Sequence, residues 1–423
     1  MLCIRSAFVA SSLLLLCSLA PAMAGVDSAA TQAPDPSAVS VPSQATTSVS
    51  ETATSNPPTE DTLDEDGEYK LTDEQMSKMA AYQTANAAYQ HDLARDLRES
   101  GVPRDWALAS QLWPIDSSDA SASSQARELL LDNAAAAAPD DGLVQWLWAN
   151  STFRPDGTCG SGGLKPERVE SLLAREPDNA AVWLMALHLA VAVNDEGAID
   201  AALVRIAGAR RIDTHFVELV QAWRVVNAKR AQSPELWAPL NAIDRSDALA
   251  PSSLSAQEQE ESRITAFAFI HAGGAPSSQG GPDLVKVCNV AKDKTGNWQR
   301  FSVCGDAART LTRAGDLLTR LLGYDALRVS AQQTPEDASD ERQMRWIWQQ
   351  ASQIQMQASQ ADGGRVLLTF WRDWLNGSNE VDLLTQQLRR AGVPLVPPPM
   401  WKASTPRSQP SDEDSDDEAT IVD

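Results

Sequence analysis

The chain is expected to be all-α, and three observations predict it. Period-2 alternation is almost absent, whereas apolar residues recur at helical spacing through most of residues 69–402. The stretch Pro177 to Ala207 reads as two helices joined by a tight turn. The dipeptide junction that opens this stretch also recurs along the chain. The architecture implied is a stack of antiparallel helical hairpins with disordered N- and C-terminal tails.

In the hairpin, Ala180 to Val193 carries one strongly polar residue, His188. A helix apolar nearly all round must be covered on more than one side. At 1.5 Å per residue it spans about 21 Å, short of the ~20 residues a membrane crossing needs. It is therefore expected to be an inner helix of the stack. Asn194 to Gly197 forms the turn, and the second helix places Ile199, Leu203 and Ile206 on one face and Asp200 and Arg205 on the other.

Taken in order, Thr72 to Glu99 opens with an N-cap and an acidic first turn and stops before Gly101 and Pro103. Arg104 to Leu112, Ser123 to Ala138 and Leu143 to Asn150 follow, and Pro166 opens a helix to Arg175, a position where proline is tolerated. Asp213 is expected to cap a helix to about Arg230, and Pro234 to open the next. Gln257 to His271, Leu311 to Leu322 (with Gly323 as its stop), Asp337 to Gln360, Arg365 to Leu375 and Val381 to Ala391 complete the set. Pro398 to Trp401 is expected to lay an aromatic anchor back on the stack. The Ala/Gly/Pro/Ser stretches around residues 245–283 allow a sub-boundary within the 69–402 domain.

Pro139-Asp140-Asp141 precedes a helix with Val144 and Trp146, and Pro177-Asp178-Asn179 precedes one with Val182 and Trp183, 38 residues later. Ile212-Asp213-Thr214 holds the same place about 35 residues further on. With Trp183 early in its helix, Ala186 three residues on and Pro177 at the junction, the stretch 123–230 resembles the tetratricopeptide repeat. Leu187 stands where that family prefers glycine, and the loop Phe153 to Gly163 lengthens one repeat. A generic stack of helical hairpins accounts for the same residues. The resemblance implies a helical array that binds a protein or peptide.

Arg5, an apolar run from Ala7 to Leu19 and Ala22-Met23-Ala24 make a signal peptide over residues 1–24, cleaved after Ala24. Acylation at Cys17 is disfavoured because Leu16 stands where a lipobox takes a small residue. Export places the protein in the periplasm or outside the cell, and no later stretch suits a transmembrane span. Residues 25–68 are rich in Ser, Thr, Pro and acid and lack Lys, Arg and aromatics, so they read as a disordered linker. Residues 403–423 read as a disordered acidic tail.

These tails explain the net charge of −22. Residues 25–68 hold nine acids and residues 411–423 hold seven, with no base in either; once Arg5 is removed, residues 69–410 keep only −7. The charge balance argues against nucleic acid or an anionic membrane as partner, since both need a basic footprint.

After signal removal the cysteines are Cys159, Cys288 and Cys304. In an oxidising compartment Cys288 and Cys304, 16 apart across a Lys-Asp-Lys-Thr-Gly turn, are the expected disulfide; Cys159 is the odd one. No two of His91, His188, His215 and His271 have metal-ligand spacing, and no catalytic or nucleotide motif is present, so no catalytic, cofactor-binding or metal residue is assigned. Tryptophan is the compositional oddity, 13 against 4 Tyr and 7 Phe. Trp371 and Trp374 share a helix face, whereas Trp146/Trp148 and Trp346/Trp348, at i,i+2, each put one ring off the main stripe. Core packing is the default for these rings; Trp148 and Trp346 are the candidate contacts for a protein, a peptide or a glycan. The expected function is a non-enzymatic binding scaffold of a bacterial cell envelope. The alternative is an envelope enzyme on cell-wall glycan, which requires two carboxylates about 5 to 9.5 Å apart in a closed pocket.

Overall fold

A computed structural model describes residues 73–112, 120–151, 164–230, 254–273, 280–291, 298–361 and 365–402. The signal segment, the linker, the acidic tail, Cys159 and the helix expected from Pro234 lie outside the described residues, as do residues 245–253 and 274–279 of the stretch around 245–283.

The described chain is all-helical. Fifteen helices are present and no strand: α1 Asp73–Glu99, α2 Pro103–Leu112, α3 Ala120–Ala137, α4 Gly142–Ala149, α5 Pro166–Arg175, α6 Ala180–Ala192, α7 Glu196–Ala207, α8 Phe216–Lys229, α9 Ala256–Gly273, α10 Gly281–Ala291, α11 Trp298–Leu311, α12 Leu317–Val329, α13 Pro335–Ala361, α14 Arg365–Leu375 and α15 Glu380–Arg390. No described helix is long and apolar enough to cross a membrane. Packing is mostly between neighbours in sequence: α2 on α1 and α3, α6 on α5 and α7, α8 on α9, α11 on α12, α13 on α15. The joint between the two halves is non-local, α7 against α11 and α6 against α10.

The inner position of α6 follows from its composition. Val182 and Met185 enter one apolar core with residues of α1–α5, α8 and α9. Ala180, Leu184 and Leu187, on its other side, enter a second core with α7 and α10–α12. Each fully buried Leu or Met contributes about 1.5–3 kcal/mol, so a helix apolar on both faces ties the two cores together. His188 sits where these cores meet solvent, its Nδ1 2.7 Å from the Asp283 carboxylate on α10. A third core joins Leu317 and Leu321 of α12, Ile347 and Ala351 of α13, and Leu384 and Leu388 of α15.

Two local expectations change. Asp213 does not cap α8. Its carboxylate accepts from the His215 backbone N–H at 2.9 Å, and His215 itself holds the cap position in the left-handed region at φ 52°. The helix expected over Leu311 to Leu322 divides, with Leu311 ending α11 and α12 beginning at Leu317, and Gly323 does not end it. This glycine lies in the middle of α12, buried against α11, where a Cβ would stand 2.7 Å from both the Ala308 carbonyl oxygen and the Thr312 nitrogen.

Cys288 on α10 and Cys304 on α11 are fully buried and paired, with Cα atoms 5.6 Å apart. Closing a loop of this length contributes about 3 kcal/mol in the chain-entropy model. Replacing both by alanine is expected to lower the unfolding free energy by about 3 kcal/mol, read as a lower urea midpoint with an m-value no smaller than the wild type's, since the freed unfolded chain is no more compact. An unchanged midpoint under non-reducing conditions would refute it.

Candidate functional site

Sequence assigned two off-stripe tryptophans as contacts, and the structure places them apart, on α4 and α13. Trp148 is half-buried. Its ring N–H donates to Asp132 at 2.6 Å, and the Arg168 guanidinium lies 5.3 Å from the ring centroid. Arg168 is nearly sealed and pairs with Asp132 and Glu128. Trp346 is 9 % exposed. Its ring N–H donates to the Pro394 carbonyl at 2.8 Å and its ring meets Trp401 edge-on at 5.3 Å. The outlying ring of that pair is Trp348, 51 % exposed. The i,i+2 argument separated the two faces of α13 but not which face was inside. The C-terminal segment decides this, because Pro394 and Trp401 cover the Trp346 side.

The three recurring junctions meet at one edge of the stack. Asp141 caps α4 through the Val144 N–H and is clamped by Arg104 at 2.9 Å through both carboxylate oxygens. Asn179 caps α6 and reaches the next junction, donating to the Asp213 carbonyl at 2.8 Å and accepting from the Asp213 N–H at 2.9 Å. The Asp178 carbonyl accepts from the backbone N–H groups of Arg210 and Arg211. Between these junctions sits His215, its Nε2 3.0 Å from Glu176 and its Nδ1 3.2 Å from Glu218. Burial opposes a charge on this ring, but hydrogen bonds to Glu176 and Glu218 and the charges of Asp213 and Glu176 outweigh it, raising its pKa to about 9. Burial likewise opposes ionisation of Glu176, yet bonds from His215 and Asn179 keep it below the usual range. An imidazolium held at both nitrogens has no lone pair to offer as a base. The cluster ties successive junctions to one another through Asn179, Glu176, His215 and Glu218. Among the described residues no group of three or more His, Cys, Asp or Glu is placed to hold a metal ion.

Two shallow clefts of about 580 and 360 Å³ are present, the first lined by Trp106 and Leu130, the second by Arg210, Arg211 and Arg313; no carboxylate lines either. The feature of most binding potential is instead an aromatic cluster. Trp371 and Trp374 of α14 both stack on Phe269 of α9, at 5.4 Å with interplanar angles of 29° and 28°. Phe216 at the start of α8 lies 6.0 Å from Phe269 and 5.8 Å from Trp374, and Phe370 lies 5.9 Å from Trp374. All five rings are only partly buried. Glu261 fastens the three helices beside them, held by Arg372 at 2.6 and 2.9 Å and by Arg224 at 3.4 Å. Gln221 of α8 donates to the Leu375 carbonyl of α14. The shared face of Trp371 and Trp374 was legible from their spacing. Phe216 and Phe269 join them from more than a hundred residues away, where no local pattern points.

Comparison of the chain with protein-family models, characterised proteins and solved structures returned no match.

Proposed function

We propose that this protein is an exported, non-enzymatic scaffold, a stack of helical hairpins similar to tetratricopeptide repeats, that binds a protein or peptide partner. The observation that carries the reading is the partly buried aromatic cluster of Phe216, Phe269, Phe370, Trp371 and Trp374 on three helices fixed by Glu261. Rigid aromatic rings supply large contact area at low conformational cost and dominate binding hot spots. The interlocked junctions around Asn179 and His215 support a scaffold role, since they hold successive hairpins in register. The charged groups of that edge are engaged with one another, which fits structural work better than catalysis.

The test is a binding titration of the mature protein against peptide arrays and soluble wall fragments. Trp374→Ala is expected to weaken peptide binding by about thirtyfold, the factor for a hot-spot loss of about 2 kcal/mol, with Trp348→Ala as the exposed control near unity. Wall-glycan hydrolysis by the wild type, with no peptide retained, would sink the proposal in favour of the enzyme.

A further inference from the structure

His271 of α9 is built into the α8–α9 interface without a partner. Both ring nitrogens are sealed from solvent and neither hydrogen-bonds to any described group. The ring lies 4.7 Å from Trp223 of α8 and meets Phe267 edge-on at 5.5 Å. The facing helix adds two more buried donors without acceptors among the described residues, the Trp223 ring N–H and the Asn227 amide nitrogen. Such surroundings accept a neutral imidazole at modest cost. An imidazolium would bring a buried charge with no counter-ion, among the least tolerated species in a protein interior.

The charged neighbours are spoken for. From α8, Arg224 is held by Glu261 and Arg230 by Asp96 of α1. From α14, Arg372 holds the same Glu261, and Arg365 holds Glu258 of α9. Tyr89 of α1 faces the interface with its hydroxyl on Asn227, 3.5 Å away. None of these groups bonds to the ring.

We propose that α9 is an acid-released element: in a mildly acidic medium His271 takes up a proton and the α8–α9 interface opens, because the charged ring finds solvent only by leaving it. Burial alone already holds the pKa of this ring down at about 4. The ordinary value in an unfolded chain is about 6.5. The stability that the neutral ring confers is therefore complete above pH 6.5 and drains as pH falls towards 4. The ratio of open to closed interface is expected to rise roughly twentyfold between pH 7 and pH 5. Burial raises the pKa of Glu380, so acid favours its buried neutral form beside Leu317 of α12 and does not open that contact. His215 keeps its proton up to about pH 9, and Glu176, Glu218, Glu258 and Glu261 all ionise below the usual carboxylate range. Each opening would also carry Phe269 away from Trp371 and Trp374, so acid would raise the fraction of molecules without the aromatic cluster by the same factor.

Hydrogen–deuterium exchange of the full chain, corrected for the intrinsic pH dependence of exchange, reads the opening directly. Protection of residues 256–273 is expected to fall about twentyfold from pH 7 to pH 5 while residues 317–329 of α12 keep theirs. His271→Phe and His271→Gln, checked by circular dichroism, should each abolish the pH-dependent fall. Unchanged protection of 256–273, an equal fall in α12, or a fall that survives in the folded variants overturns the proposal. Should neither variant fold, the contrast between α9 and α12 in the wild type decides it.

Discussion

Gly323→Ala is expected to destabilise the protein by roughly 1–3 kcal/mol, although the same change in an exposed helix interior stabilises by about 1 kcal/mol. The reversal has a geometric cause. α11 and α12 cross with backbone nearly on backbone at this glycine, and the added methyl would stand 2.7 Å from a carbonyl oxygen and 2.7 Å from an amide nitrogen, with the Leu311 Cβ at 3.0 Å. No rotamer relieves such a clash, since the intruding atom is a Cβ and the atoms it meets are mainly main chain. The helices must separate, which loosens the buried Ala307, Ala308, Leu311, Ala326 and Leu327. Gly197→Ala serves as the contrast, because its Cβ would meet only the Asp195 side chain at 3.5 Å. Chemical denaturation of both variants checks the prediction; Gly323→Ala at or above wild-type stability would refute the close crossing.

The same glycine shows where sequence reasoning stops. Local rules treat glycine after a run of apolar residues as a helix stop, and at Gly392, with φ 70°, that rule holds. At Gly323 the reason for glycine is the preceding helix α11, which folds back so that Ala308, Leu311 and Thr312 press on it, a close approach that a local stop rule does not encode. The same division runs through the rest of the molecule. Helix identity and the inner position of α6 were legible because they depend on periodicity and on a composition without a polar face. The Cys288–Cys304 pair was legible because the two flank one short turn between helical segments. The aromatic cluster was half legible: Trp371 and Trp374 share a face by spacing, but their partners come from α8 and α9. The His215 cluster was not legible, since Glu176, His215 and Glu218 converge only when successive junctions stack, and Arg104 enters from α2. Trp346 was misplaced for a related reason. The chain that covers it, Pro394 to Trp401, returns from beyond α15.

The His215 cluster makes the second large effect, and its sign is fixed by which protonation state the fold prefers. The folded-state pKa of about 9 stands above the unfolded value near 6.5. Stability from this group is then complete below pH 6.5 and is lost as pH rises to 9, a change on the order of 3 kcal/mol. His215→Gln keeps a polar side chain but cannot take the charge, leaving Glu176 and Glu218 facing each other across the site. It is expected to cost 3–5 kcal/mol at pH 6.5, the range for breaking a buried ion pair by removing one partner. The deficit should shrink towards pH 9.5, where the wild-type ring is neutral as well. The left-handed backbone at residue 215 adds a cost to glutamine that is independent of pH, so the slope against pH, rather than the offset, is diagnostic. Urea midpoints measured from pH 6 to 9.5 should therefore fall steeply for the wild type and stay nearly level for the variant. Two parallel curves would mean that His215 is held neutral between its carboxylates, and the junction edge would then need another source of cohesion. The approach of Gly142 adds a steric check on the same ring. A Cβ there would stand 3.2 Å from the His215 Cε1 and in ordinary contact, 3.9 Å, with His215 Nδ1 and Glu176 Oε1. Gly142→Ala would thus displace the imidazole without removing its charge. The loss from this variant should be smaller than that from His215→Gln and should retain the alkaline slope, because the ionic contact survives in a strained form.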